Sequence, residues 1–245
     1  IKKFPVAKFP VSNKEKILIV GNSGGRNFYN IINSQKENIS NIDLSILDLE
    51  IRCLINYIEN TDCIIDLKKV PKMNTLYGIK DDRDTNIYNF LNANTIILSS
   101  RWTSGDIKSI QSILKNKKIK NKKIIIASNF IEFNLSKPWI TLIDEKIFDN
   151  NNLDLNQNKV HIIKKKYFEK INEKRLLDNI KLKNLSKQYN LKYLNLDKLY
   201  CDFNLKLCEF FTPNKKKLFF DDYHLTRLGF QYIGEKINYL NFFKN

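Results

Sequence analysis

Apolar residues in this chain gather into short runs that alternate with stretches where they recur every three or four positions. Lys16-Ile17-Leu18-Ile19-Val20, ended by Gly21, predicts a buried strand. Phe28, Ile31 and Ile32 then fall at helical spacing, so the first unit reads strand, tight turn, helix. Cys63-Ile64-Ile65-Asp66-Leu67 predicts a second strand and Thr95-Ile96-Ile97-Leu98 a third, followed by a helix with Ile107, Ile110 and Leu114 on one face. Lys123-Ile124-Ile125-Ile126-Ala127 predicts another strand, and Lys192-Tyr193-Leu194-Asn195-Leu196 the last. Between those two, a long amphipathic helix is expected over about 166–189, with Phe168, Ile171, Leu177 and Ile180 inward. A final helix from Thr226 carries Phe230, Ile233, Ile237 and Leu240 in register. Strands buried on both faces and alternating with helices predict an α/β fold, a parallel sheet between two layers of helices. Residues 1–14, with Pro5 and Pro10 and no clear period, read as an extended lead-in or linker, leaving 15–245 as one domain. The Asn-rich stretch Asn150–Asn158 reads as a surface loop.

Composition changes this picture little. Hydrophobic residues at 42% and charged residues at 28% are ordinary for a globular domain. No apolar run nears the roughly 20 residues that span a bilayer. The first residues, Ile1-Lys2-Lys3-Phe4-Pro5, carry neither a signal-peptide h-region nor an initiator Met, so the chain reads as a processed product or a piece of something longer. The net charge of +16 invites a nucleic-acid reading. The excess is mostly Lys and travels with Asn and Ile, residues of AT-rich codons, and no nucleic-acid motif accompanies it. No nucleic-acid partner is expected; what remains is a surface that attracts polyanions, anionic glycans included. Four cysteines and only two histidines argue against a zinc site, and no cofactor is implied. Cys201 and Cys208 flank a short polar stretch, which suits a local disulfide as well as free buried thiols; the pairing of Cys53 and Cys63 stays open.

Two constellations carry chemistry. Gly21-Asn22-Ser23-Gly24-Gly25 sits at the carboxyl end of the first strand and opens a helix. Ligands of open parallel sheets bind beyond such strand ends. The glycines allow a sharp turn, and amides at the helix start can hold an oxyanion. A glycine-rich turn with a serine cap is the plainer explanation. The string also fits G-x-S-x-G, but a nucleophile elbow of the α/β-hydrolase kind follows several earlier strands, whereas Ser23 follows the first. The second constellation, Asp221-Asp222-Tyr223-His224-Leu225-Thr226, precedes the last helix. A D-x-x-H turn can fold Asp221 against His224, fixing its tautomer for work as a general base. A helix start capped by Thr226 among dipole-favoured acids is compatible with that role. His161, between apolar neighbours, reads as structural.

Together these residues resemble the SGNH or GDSL hydrolase superfamily over roughly residues 16–240. The resemblance implies a flavodoxin-like three-layer sandwich and a triad of Ser23, Asp221 and His224. It narrows at Phe219-Phe220-Asp221-Asp222-Tyr223-His224-Leu225-Thr226 and Gly229, similar to the "Y-x-D-x-x-H-L-S-x-x-G" ending of SGNH domains fused behind membrane acyltransferase-3 domains. Leu98-Ser99-Ser100-Arg101-Trp102 resembles their "A-A-R-W" strand end, and Cys201 with Cys208 a cysteine pair they often carry, which implies a disulfide here. Such proteins O-acetylate bacterial surface polysaccharides outside the cytoplasmic membrane. The resemblance therefore implies an acyl donor, a glycan acceptor, an upstream membrane domain as tether and a periplasmic location. A plain esterase or deacetylase with the same triad, and a catalytically silent glycan-binding module, are the alternatives. The chain departs from the family at Asn22, where an Asp is usual; Asn can keep the hydrogen bond while losing the charge. It also lacks a G-x-N-D block, so the Ser23 amide with Gly24 is the expected oxyanion donor. Arg101 is a candidate for positioning substrate or for a structural ion pair, and Gly78 for the second-block glycine.

Overall fold

The computed structural model describes residues 7–61, 63, 83–135 and 157–237. Within them β1 (Glu15–Gly21), β2 (Ile42–Asp48), β3 (Thr95–Leu98), β4 (Lys123–Ala127) and β5 (Lys192–Leu194) form one five-stranded parallel sheet in the order β2-β1-β3-β4-β5, flanked by helices. This is the flavodoxin-like order, whose chain reversal falls between β1 and β3. The helices are α1 (Ser23–Asn33), α2 (Leu54–Glu59), α3 (Arg83–Asn92), α4 (Ser104–Lys115), α5 (Gln157–Glu169), α6 (Glu173–Gln188) and α7 (Arg227–Lys236). A short antiparallel pair, β6 (Cys201–Asp202) and β7 (Leu207–Cys208), follows β5. The chain divides into two compact units, Ile1–Arg26 with Ser40–Ile125 and Asn27–Ile39 with Ile126–Asn245.

In the first unit, Ile17 to Val20 and Ile96 to Leu98 are essentially inaccessible, as continuous apolar runs in the middle of a parallel sheet should be. β1 pairs β3 with Val20 opposite Leu98 and pairs β2 with Gly21 opposite Asp48. That register sets the carboxyl ends of three strands side by side. β2 was not anticipated, because an edge strand alternates: Asp43 and Ser45 interrupt Ile42, Leu44 and Ile46. The strand expected at Cys63–Leu67 is not supported at Cys63, which lies outside any strand; residues 64–67 lie outside the described residues. Cys63 is instead disulfide-bonded to Cys53. Thr103 and Asp106 close a reciprocal capping box at the start of α4, where Ile110 and Ile113 are buried. Ile107 and Leu114 are only half-buried.

In the second unit the core is aromatic. Phe133 meets Tyr167, Phe210 and Phe219 with ring centroids 5.2, 5.1 and 5.6 Å apart, all edge-to-face. The helix expected over 166–189 is two helices, α5 and α6. At the break, Asn134 N–H donates to Lys170 O, Asn172 N–H donates to Glu132 O, and Phe133 bridges Ile171. The inward face of α6 is also not the expected one: Leu177 and Ile180 are 58% and 54% exposed, while Asp178, Asn179, Leu182 and Ser186 are buried. Asn179 turns inward because it is satisfied there; its Oδ1 accepts from Asn129 N at 2.7 Å and its Nδ2 donates to Asp197 at 2.8 Å. Gln157 and Asn158, expected in a loop, open α5, and the remainder of that stretch lies outside the described residues. β5 ends at Leu194 because Leu196 already caps a 3-10 turn over Asp197–Leu199. The final helix begins as expected after its cap Thr226 but ends at Lys236; Ile233 and Ile237 are buried, Phe230 is half-buried, and Leu240 lies outside the described residues.

Candidate active site

Ser23 is the first residue of α1, half-buried, directly beyond β1. The turn that delivers it is built by backbone packing. Gly21 sits at φ +157°, and a Cβ there would lie 1.6 Å from the Ser99 carbonyl oxygen. A Cβ on Gly24 would lie 2.5 Å from the Ser100 carbonyl carbon. Neither position admits a side chain, so the glycines serve close approach of the β1–α1 turn to the strand end of β3. Asn22 ties the same two segments. Its Oδ1 accepts from the amides of Gly24 at 3.2 Å and Arg101 at 2.8 Å, and its Nδ2 donates to Glu50 at 3.2 Å. The hydrogen bond expected of Asn22 is therefore present. The Gly24 amide, expected to face an oxyanion, is spent on Asn22.

Around this turn Arg26 pairs with Asp48 at 2.6 Å. Burial pushes the Glu50 carboxyl above the ordinary carboxylate range; the Asn22 amide opposes that, Asp106 adds to it, Arg52 opposes it and Asp48 adds to it. Glu50 escaped the sequence reading because β2, which carries the chain to it, did. The signal available was a carboxylate two residues past the end of an alternating run.

Asp221 and His224 are brought together in the second unit. Phe219 and Leu225 form an antiparallel bridge, Phe220 N–H donates to His224 O, and the residues between are folded into a closed turn. Inside it Asp221, 2% exposed, uses both oxygens. Oδ1 accepts from the Tyr223 amide at 3.0 Å and the His224 amide at 2.6 Å; Oδ2 lies 2.6 Å from His224 Nδ1. Burial alone would raise the Asp221 carboxyl. The His224 ring, the two backbone amides and the His224 charge outweigh it, and the net shift is downward. An ionised Asp221 holding Nδ1–H leaves Nε2 as the basic nitrogen. The His224 ring is stacked nearly parallel on Phe220, centroids 5.4 Å apart. The turn is anchored from behind, where Phe133 N–H donates to Asp222 O at 3.1 Å and Asn27 Nδ2 to Tyr223 O at 3.3 Å.

Ser23 belongs to the first unit and the Asp221–His224 pair to the second. Arg101 is half-buried at the end of β3 with its amide on Asn22, and Gly78 lies outside the described residues. His161 is exposed on α5, not enclosed by its apolar neighbours. Cys201 and Cys208 form the expected local disulfide. Among the described residues no helix is long and apolar enough to cross a membrane.

No protein-family profile and no curated protein sequence matches this chain. Solved structures do. The periplasmic domain of a lipopolysaccharide acetyltransferase from Salmonella Paratyphi A is 17% identical, with a TM-score of 0.58 over 93% of this chain and 84% of that one. A Bacteroides fragilis protein described as an acylhydrolase is 13% identical with a TM-score of 0.46, covering 94% of this chain and 88% of that one. A GDSL-like lipase from Bacteroides thetaiotaomicron is 11% identical, again with a TM-score of 0.46, 94% of this chain and 88% of that one. The chain thus has a flavodoxin-like α/β fold, shared with the periplasmic domain of that lipopolysaccharide acetyltransferase.

Proposed function

We propose that this chain transfers an acyl group, acetyl in the first instance, to a cell-surface polysaccharide through an acyl-Ser23 intermediate. The observation that carries the reading is the Asp221–His224 pair: a buried, fully hydrogen-bonded carboxylate that fixes one tautomer of a half-exposed histidine. The choice of serine rests on the place of Ser23, the first residue of α1 directly beyond β1. In the proposed reaction His224 Nε2 takes the proton of Ser23 Oγ as the oxygen attacks the donor's carbonyl carbon. The same proton then goes to the departing alkoxide. In the second half the acceptor hydroxyl gives its proton to Nε2, its oxygen attacks the acyl carbon, and Ser23 Oγ recovers the proton as it leaves. The Ser23 amide, in the first turn of α1, is the proposed oxyanion donor.

Two disulfides suit an oxidising compartment, so the proposed place of action is outside the cytoplasmic membrane, with an upstream membrane domain as acyl source and tether. The test is turnover of a small acetyl ester with and without added polysaccharide. Ser23→Ala should lower kcat by about 10⁴-fold or more. Acetyl appearing on the glycan in place of free acetate supports transfer; acetate alone, whatever glycan is added, reduces the function to that of an esterase. Unchanged turnover in the alanine variant removes Ser23 from the chemistry.

A further inference from the structure

The amide of Asn22 faces three partners whose polarities leave it one orientation. Gly24 N–H and Arg101 N–H are donors, so the atom turned to them must accept, and that is Oδ1 at 3.2 and 2.8 Å. The other end, Nδ2, must then meet an acceptor, and it meets Glu50 Oε1 at 3.2 Å. A carboxylate at position 22 would keep both amides but set a second negative charge against Glu50, in surroundings that already hold Asp106 and Asp48, with Arg52 as the neighbouring cation. Asn22 and Glu50 therefore form a matched pair, amide donor to carboxylate acceptor.

We propose that Glu50 is a positioning residue of the Ser23 turn, acting through Asn22. By accepting from Nδ2 it fixes which end of the Asn22 amide faces the Gly24 and Arg101 backbone. The Asn22 oxygen so oriented bridges the β1–α1 turn to the strand end of β3. Because the glycine turn and the Ser99–Arg101 backbone pack without side chains between them, a shift of either moves Ser23. Desolvation fits this role: Glu50 is held partly out of water, where one directed hydrogen bond counts for more than at the surface.

The inference rests on Ser23 being the nucleophile, and the experiment separates the two. Asn22→Asp, and the reciprocal exchange Asn22→Asp with Glu50→Gln, are compared with the natural chain. In the exchange the side-chain amide introduced at position 50 donates to the carboxylate at position 22, whose other oxygen keeps the two backbone amides. The readouts are the rate at which a fluorophosphonate labels Ser23 and the thermal midpoint. Asn22→Asp should slow labelling about tenfold and lower the midpoint by about 3 °C; the exchange should return the rate to within about threefold and most of the midpoint. Labelling of Asn22→Asp at the natural rate, or an exchange no better than the single variant, overturns the proposal. If the natural chain is not labelled at Ser23, the acyl-serine reading falls instead, and the pair is judged on the midpoints alone: recovery in the exchange sustains it, and an exchange no more stable than Asn22→Asp refutes it.

Discussion

Each oxygen of Asp221 has a separate task, and that makes the residue hard to replace. Oδ1 takes two backbone amides and Oδ2 takes the His224 ring. In Asp221→Asn one of those sites becomes an NH₂ group. Facing the backbone it would meet two donors; facing the ring it can be accepted only by an unprotonated Nδ1, which puts the proton on Nε2 and removes the base. Activity on an acetyl ester should fall by roughly 10³- to 10⁴-fold, as in the serine-protease precedent. Asp222 meets Phe133 through its backbone carbonyl, which an Asn keeps, so Asp222→Asn should cost less than about tenfold. Kinetics of both variants on one ester check the assignment; a larger loss from Asp222→Asn would move the acid by one position.

Asp197 gives a prediction of opposite sign for stability. Burial pushes its carboxyl up to about 6 from 3.8, with the Asn179 hydrogen bond opposing. The folded chain therefore binds this proton more tightly than the unfolded one, and stability is greatest below the unfolded value. As pH rises from about 4 through about 6 this contribution is lost, on the order of 3 kcal/mol in all. The depressed Asp221 works the other way, stabilising at neutral pH and losing its contribution in acid. Asp197→Asn should flatten the pH 4–6 slope of the urea midpoint and raise the midpoint at pH 7. An unchanged slope would show that Asp197 is not the buried acid described.

The segment Glu132–Asn134 links the helices α5 and α6 to the Asp221–His224 turn. It interrupts what the apolar period predicted as one helix and, through Phe133 N–H, holds the carbonyl of Asp222. Phe133→Ala should cost about 3–5 kcal/mol and loosen that turn. The checks are a lowered denaturation midpoint together with weakened near-ultraviolet dichroism from the aromatic cluster. The Cys201–Cys208 bridge closes a hairpin whose residues 201 and 208 are opposite each other. Its reduction should cost roughly 2–3 kcal/mol by chain entropy and leave Ser23 labelling intact.

These elements also show what was legible beforehand. β1, β3 and β4 are continuous apolar runs because the middle of a parallel sheet is buried on both faces. β2, at the edge, is not such a run and went unseen. The α5–α6 break has no Pro or Gly at Lys170–Asn172; partners from a distant segment took their backbone groups, which a local pattern cannot reveal. Asn179 faces inward for the same kind of reason. The D-x-x-H turn was legible because its geometry is local; Glu50 was not, because its role depends on β2 lying beside β1.

For the whole molecule, a net charge of +16 bears on the acceptor whatever its codon origin. An anionic polysaccharide should bind at least about tenfold more weakly at about 0.5 M than at about 0.05 M salt, where screening shortens the reach of the surface field from roughly 14 to 4 Å; a neutral one should be indifferent. Equal salt dependence for both would remove charge from the recognition. Passage of the chemistry through Ser23 is tested by trapping the intermediate. The protein is mixed with an activated acetyl ester, quenched in acid within one turnover and digested, and the peptides are weighed. One acetyl group is expected on the peptide bearing Ser23, absent from Ser23→Ala and greatly reduced in His224→Ala. Acetyl found on another residue, or turnover that persists in Ser23→Ala with no acetyl-serine at any time, would contradict it.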